Sequence, residues 1–147
     1  MSSNDKSTLT QSILALSNLS SAQNFHQYAS EMNIKLLIHT LDSNDPEDAQ
    51  LLRAAANTLS NLSADFQYHE YFLKEPEFTT LLKILQFSDD IRLIKSIVII
   101  ITNISTNISM INKLTCGNSL EIIIKLFERE VISLILRKIN ILYKIET

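Results

Sequence analysis

The chain has a single glycine in 147 residues. Hairpins, dinucleotide-binding turns and phosphate loops need several glycines for their positive φ angles. That scarcity argues for helices joined by Asn, Asp and Ser turns. There are two prolines, no tryptophan and one cysteine. With Cys116 alone, no intramolecular disulfide forms, which fits a reducing compartment. The first ten residues, MSSNDKSTLT, contain no apolar signal region and an acid early, so neither a secretory signal nor a mitochondrial presequence is read there. Cytoplasmic residence, extending to the nucleus, is the default expectation. Residues 1–90 carry five basic and twelve acidic side chains, residues 91–147 eight basic and four acidic. Neither part has the dense Lys/Arg patch of a nucleic-acid binder. The most apolar stretch, residues 91–104, holds nine aliphatics but also Arg92 and Lys95. It is shorter than the roughly 20 residues that a membrane span requires. No Gly-rich phosphate loop, G-x-S-x-G element or H-E-x-x-H helix occurs, so no catalytic role and no cofactor is expected.

What the chain does contain is repetition. Residues 16–20 and 59–63 both read LSNLS, and residues 101–105 read ITNIS. A weaker copy surrounds Asn140. The asparagines at 18, 61, 103 and 140 are 43, 42 and 37 residues apart. A second landmark agrees: Leu41, Leu85 and Leu126 each end a helical pattern, at intervals of 44 and 41. A period near 40 residues predicts a helical solenoid. The expected architecture is an all-α solenoid over residues 8–147 behind a flexible stretch at 1–7. Its units run 8–20 (partial), 21–63, 64–105 and 106–145, each a short, a middle and a long helix. Such units bury their apolar faces only against their neighbours.

Locally, Leu9, Ile13, Leu16 and Leu19 or Ser20 fall on one face of a helix starting near Ser7 or Thr8. Asn33 is the expected cap of a helix over 33–41 and Asp45 of one entered through Pro46. Ser88 caps the next, with Asp89 and Asp90 favoured in its first turn. Leu52, Ala55, Ala56, Leu59 and Leu62 form the inward stripe of the helix over 46–63.

The best copy carries Ala55, Thr58, Leu59, Asn61 and Leu62. The first carries Ser12, Ala15, Leu16, Asn18 and Leu19. The third carries Ile97, Ile100, Ile101, Asn103 and Ile104. This pattern resembles the A-x-x-A-L-x-N-L third helix of the armadillo repeat family, and Gly117 matches the glycine usual between its first and second helices. The resemblance covers about residues 10–145; the two-helix HEAT repeat is the alternative. It implies a right-handed α-solenoid whose third helices line a concave face, where the recurring Asn grips the backbone of an extended peptide. An Asn side chain offers both the donor and the acceptor that an unpaired backbone needs. The implied partner-binding residues are Asn18, Asn61, Asn103 and Asn140, with Arg53, Arg92 and Lys95 as a small basic set suited to acidic peptides. The competing reading is that each Asn bonds a loop carbonyl between repeats. Import adaptors of the family place Trp one turn before the Asn; here Leu14, Asn57, Ile99 and Leu136 stand there, so basic localisation peptides are not the implied ligand.

His26 and His69 lie one period apart, as stacked surface residues would, and His39 stands alone; no metal set is implied. The acidic stretch 42–48 reads as a solvated, helix-capping turn rather than a calcium loop. Cys116 reads as a buried or semi-buried residue beside a turn rather than a nucleophile. Tyr68, Tyr71 and Phe72 read as core. The apolar C-terminal helix expected at 129–145 has aliphatics on more than one side, which suggests an association surface. The functional expectation is a non-catalytic protein-interaction adaptor or complex subunit. The alternative is a structural component of a large cytoskeletal, ciliary or ribonucleoprotein assembly.

Overall fold

The computed structural model describes residues 3–43 and 45–129. Every regular element among them is helical. In chain order these are α1 (Ser3–Leu19), α2 (Glu31–Thr40), α3 (Ala49–Leu62), α4 (His69–Phe72), α5 (Glu77–Phe87), α6 (Ile91–Ser105), α7 (Ile108–Leu114) and α8, which spans 119–129. Short 3₁₀ segments at Gln23–Tyr28, Pro46–Asp48 and Phe66–Tyr68 lead into α2, α3 and α4.

The starts of these helices are set by side chains. Asp45 accepts from the Glu47 amide, and Pro46 follows at the first helical position, where its missing N–H costs nothing. Asp65 and Asn107, one period apart, cap the segments that begin the next two units by accepting from Gln67 and Ser109. Two caps differ from the sequence reading. Ser30, not Asn33, caps α2: Ser30 and Asn33 form a reciprocal capping box, so Asn33 sits inside the first turn. Asp90, not Ser88, caps α6, accepting from Arg92 and Leu93, while the Ser88 hydroxyl accepts from the Asp90 amide. Gly117 adopts φ 59°, the one positive φ among the described residues, in the turn before α8.

The long helices stack in order: α1 packs on α3, and α3 on α6. The middle helices form a second layer, with α2 against α3 and α5, and α5 against α6. One core runs through both layers, from Ile13 through Leu59 and Leu62 to Ile97, Ile100 and Ile104. This is a repeat-like helical architecture. In α3 the buried stripe includes Leu51 as well as Ala55, Ala56, Leu59 and Leu62, with Leu52 half-buried. Alanines at the centre let α1 and α6 approach α3 from either side. The α1 stripe is narrower than its spacing suggests. Ile13 is buried and Leu9 half-buried, but Leu16 and Leu19 are exposed and Ser17 and Ser20 are buried. α1 also begins at Ser3, ahead of Ser7, and Lys6 near its start is held by the next unit.

The outer layer repeats as well. Lys74 Nζ lies 2.7 Å from Glu31 and Lys113 Nζ 3.5 Å from Glu70, both across 43 residues. Exposed pairs of this kind contribute little to stability, but they report the same register. The Tyr68 hydroxyl donates to the carbonyls of His26 and Ala29 in the preceding unit. Tyr68 and Phe72 are core residues and Tyr71 is half-buried, as their spacing suggests; Phe66 is exposed.

Candidate functional site

The three long helices present equivalent positions side by side. Eight residues before the motif Asn, four before it and at it stand Thr10, Leu14 and Asn18 on α1. The same positions hold Arg53, Asn57 and Asn61 on α3, and Lys95, Ile99 and Asn103 on α6. All nine side chains are at least partly exposed.

The asparagines connect neighbouring helices. Asn61 Nδ2 donates to Ser20 Oγ at 2.9 Å, and Asn103 Nδ2 donates to Ser63 Oγ at 2.9 Å. Each serine is fully buried and passes the bond on, Ser20 to the Ser17 carbonyl and Ser63 to the Ser60 carbonyl. Asn57 Nδ2 makes a third link, 2.8 Å to Ser17 Oγ. The partner of the recurring Asn is therefore a serine hydroxyl two residues after the preceding Asn, rather than a loop carbonyl. One amide hydrogen of each Asn is committed within the chain. Asn18, at the open edge of α1, is exposed; Asn140 and Leu136 lie outside the described residues.

The same serines receive a second partner. His26 Nε2 lies 3.3 Å from the Ser20 carbonyl and His69 Nε2 2.7 Å from the Ser63 carbonyl. Each imidazole closes the C-terminal end of a long helix, where carbonyls lack intrahelical donors. This corrects the expectation of stacked surface histidines: His69 is buried and His26 half-buried. The signal was present in the sequence, as Ser-x₅-His in both copies. The third copy replaces His with Ile111.

Arg53 and Lys6 each face acids. Arg53 Nε lies 2.7 Å from Asp90 Oδ2, the cap of the next long helix. Burial pushes the Asp90 carboxyl up, and the bond from Arg53 together with the backbone amides of Leu93 and Arg92 more than offsets it, so the group ends below its ordinary range. Lys6, which the sequence reading did not single out, reaches 2.6 Å from Asp45 and 2.8 Å from Asp48. The Lys6 hydrogen bond holds both carboxyls below the usual range, with Ser43 adding to it at Asp48 and the Glu47 amide at Asp45. The acidic stretch is a helix-capping turn closed by one lysine, and Asp48 is buried in it. Arg92 and Lys95 are exposed on α6. Cys116 is exposed rather than semi-buried.

Among the described residues no group of three or more His, Cys, Asp or Glu is placed to hold a metal ion. Among the same residues no helix is long and apolar enough to cross a membrane. Neither a protein-family model, nor a curated protein, nor a solved structure matches the chain.

Proposed function

We propose that the chain is a small armadillo-like module of the right-handed solenoid type. It acts as a non-catalytic adaptor or complex subunit, and it binds an extended peptide of a protein partner along the long-helix face. The observation that carries this reading is the strip of equivalent positions on α1, α3 and α6. Carboxamides recur along it at one-helix intervals, the spacing a strand-like peptide would meet as it crosses the helices. Exposed Ile99 supplies an apolar contact, and Arg92 and Lys95 a local positive charge not cancelled as Arg53 is by Asp90. That combination favours a peptide with aliphatic and acidic side chains.

The test should avoid the asparagines, because Asn61 and Asn103 also join helices. Selection from displayed random peptides against the full chain is expected to enrich acidic–aliphatic sequences. Their binding should be lost in Lys95→Glu with Ile99→Asp. Enrichment indifferent to both changes would contradict the reading.

A second reading is favoured by a different surface. Tyr28, Met32 and Leu36 are largely exposed and four residues apart, at and before α2. Met32 and Leu36 lie one turn apart on α2, Tyr28 precedes them across the extended residues Ala29 and Ser30, and grouped exposed apolar side chains mark association surfaces. They support a role as a structural component of a larger assembly, contacted through the middle-helix layer. Tyr28→Ser with Leu36→Ser in the full chain would weaken co-assembly on this reading and leave peptide binding intact.

A further inference from the structure

Among the described residues, the stack of long helices leaves matching faces open at its two ends. In α3 and α6 the motif Asn bonds back to the preceding long helix, and the residues beside it are covered. Three before that Asn stand Thr58 and Ile100, and one after it Leu62 and Ile104, each buried. On α1 the same positions hold Ala15, exposed, and Leu19, 57% exposed against 1% for Leu62. The other end mirrors this. The faces of α1 and α3 that receive the next long helix carry Ile13, Ser17 and Ser20, and Ala56, Ser60 and Ser63, all buried. Their counterparts on α6 are Val98, Thr102 and Ser105, all exposed. Ser105 donates to the Thr102 carbonyl just as Ser20 and Ser63 bond theirs. Beside this face is an open, mostly apolar groove of about 600 Å³, walled by Val98, Ile101, Leu114, Leu120, Ile123 and Phe127.

We propose that copies of the chain associate head to tail, α1 of one copy seating on α6 and the groove of the next. Three observations single out this occupant. First, the fit is one that the chain already makes twice. Asn18 of one copy stands to Ser105 of the other as Asn61 stands to Ser20 and Asn103 to Ser63. Second, the ends match in charge. A base on each long helix reaches the acid at the start of the next, Lys6 to Asp48 and Arg53 to Asp90. Lys95 stands one period after Arg53 and Asp5 one period before Asp48, so Lys95 meets Asp5 of the second copy in the same pattern. The halves of the chain agree, the first ninety residues being acidic on balance and the rest basic. Third, α1 is the better-matched copy of the motif. The position of Ala15, Thr58 and Ile100 holds Arg137 in the degenerate fourth copy, and an arginine suits the middle of a helix contact poorly. The contact is heterologous, so it adds copies in series rather than closing a pair. It does not depend on peptide binding, which needs one copy alone and keeps Arg92 and Ile99.

Two end-blocked variants of the full chain test this. Ala15→Arg spoils the α1 face and leaves α6 intact; Thr102→Arg does the reverse. Both positions are exposed, and circular dichroism checks that each variant keeps its helices. In sedimentation equilibrium the parent is expected to pass dimer mass as its concentration approaches roughly 1 mM. Each variant alone should stay at monomer mass. Their equimolar mixture should give a species of twice that mass, because one good face of each remains. A parent that stays monomeric, as it would with α6 covered by the chain's own residues 130–147, would overturn the proposal. So would a monomeric mixture, or a dimer of Thr102→Arg alone, which pairing of α1 with α1 would give. A second measurement traps the contact. In a Cys116→Ser background, mild oxidation of Asn18→Cys with Ser105→Cys is expected to link chains into a ladder of masses. Asn61→Cys with Ser20→Cys, the same geometry within one chain, is the control. Absence of the ladder where the control pair closes would overturn the proposal equally.

Discussion

Asn103 reaches back 40 residues to donate a 2.9 Å hydrogen bond to the buried hydroxyl of Ser63, and Asn61 does the same to Ser20. The bond recurs because the sequence recurs, and it locks the register of adjacent long helices. Asn103→Ala removes it and should cost about 1 kcal/mol, or roughly 2–4 °C in Tm. Urea titration of Asn103→Ala, Ser63→Ala and the double variant checks this. The double variant should lose less than the sum of the singles by about 0.5–1 kcal/mol. Strict additivity would show that the two side chains do not interact.

The two helix-closing histidines should differ in weight. His69 is buried and its Nε2 lies 2.7 Å from the Ser63 carbonyl; His26 is half-buried and its contact is longer, 3.3 Å. His69→Phe keeps the volume but leaves a buried carbonyl without that donor, at a cost of about 1–3 kcal/mol. His26→Phe should cost less than half as much. Chemical denaturation of the two variants gives the ratio.

Neighbouring isoleucines on α6 should respond very differently. Ile100 is fully buried between the layers and Ile99 is half exposed on the long-helix face. Ile100→Ala should cost about 2–5 kcal/mol. Ile99→Ala should stay within about 0.5 kcal/mol. Equal effects would mean that α6 is rotated from the orientation described.

The Lys6 clamp gives stability a pH dependence with a definite sign. Its hydrogen bonds hold Asp45 and Asp48 below their unfolded carboxylate values, near 3.9. A group depressed on folding contributes stability above its unfolded pKa, and the contribution is lost as pH falls through the folded value. Lys6→Met should therefore be less stable than the parent at pH 7. The gap should close as the solution is acidified below about pH 4, where the carboxylates protonate. Thermal unfolding of both chains from pH 7 to pH 2 reads this directly.

Much of the fold was legible because apolar spacing and turn chemistry are local. The Leu59-Ser60-Asn61-Leu62-Ser63 repeat revealed the period and Asp45-Pro46 the entry to α3. Less legible were features that depend on which helix lies across the gap. Leu16 shares a face with Ile13 by sequence, with Leu19 or Ser20 next on it, yet α3 meets the side carrying Ser17 and Ser20, so both serines are buried and Leu16 and Leu19 are not. The Ser30–Asn33 box and the Asp90 cap each moved a helix start because two polar residues compete for one set of free amides. His69 looked like a surface residue because nothing in its own segment shows that the end of α3 lies over it. On the candidate site, the sequence nominated the Asn and basic positions, and the structure places Asn18, Asn61, Asn103, Arg53 and Lys95 at equivalent positions of neighbouring helices. It did not show that Asn61 and Asn103 are tied to serines or that Arg53 is tied to Asp90. For the proposed peptide face, those ties make Ile99, Arg92 and Lys95 the cleaner positions to test.

The central claim is that α1, α3 and α6 together form a single peptide-binding face. Nuclear magnetic resonance titration of the labelled full chain with a selected acidic–aliphatic peptide tests it most directly. The account predicts shifts in the side-chain amides of Asn18, Asn61 and Asn103 and in the methyls of Ile99, on all three helices at one saturating midpoint. Shifts confined to Met32 and Leu36 on α2, or to the groove at Val98 and Phe127, would contradict it.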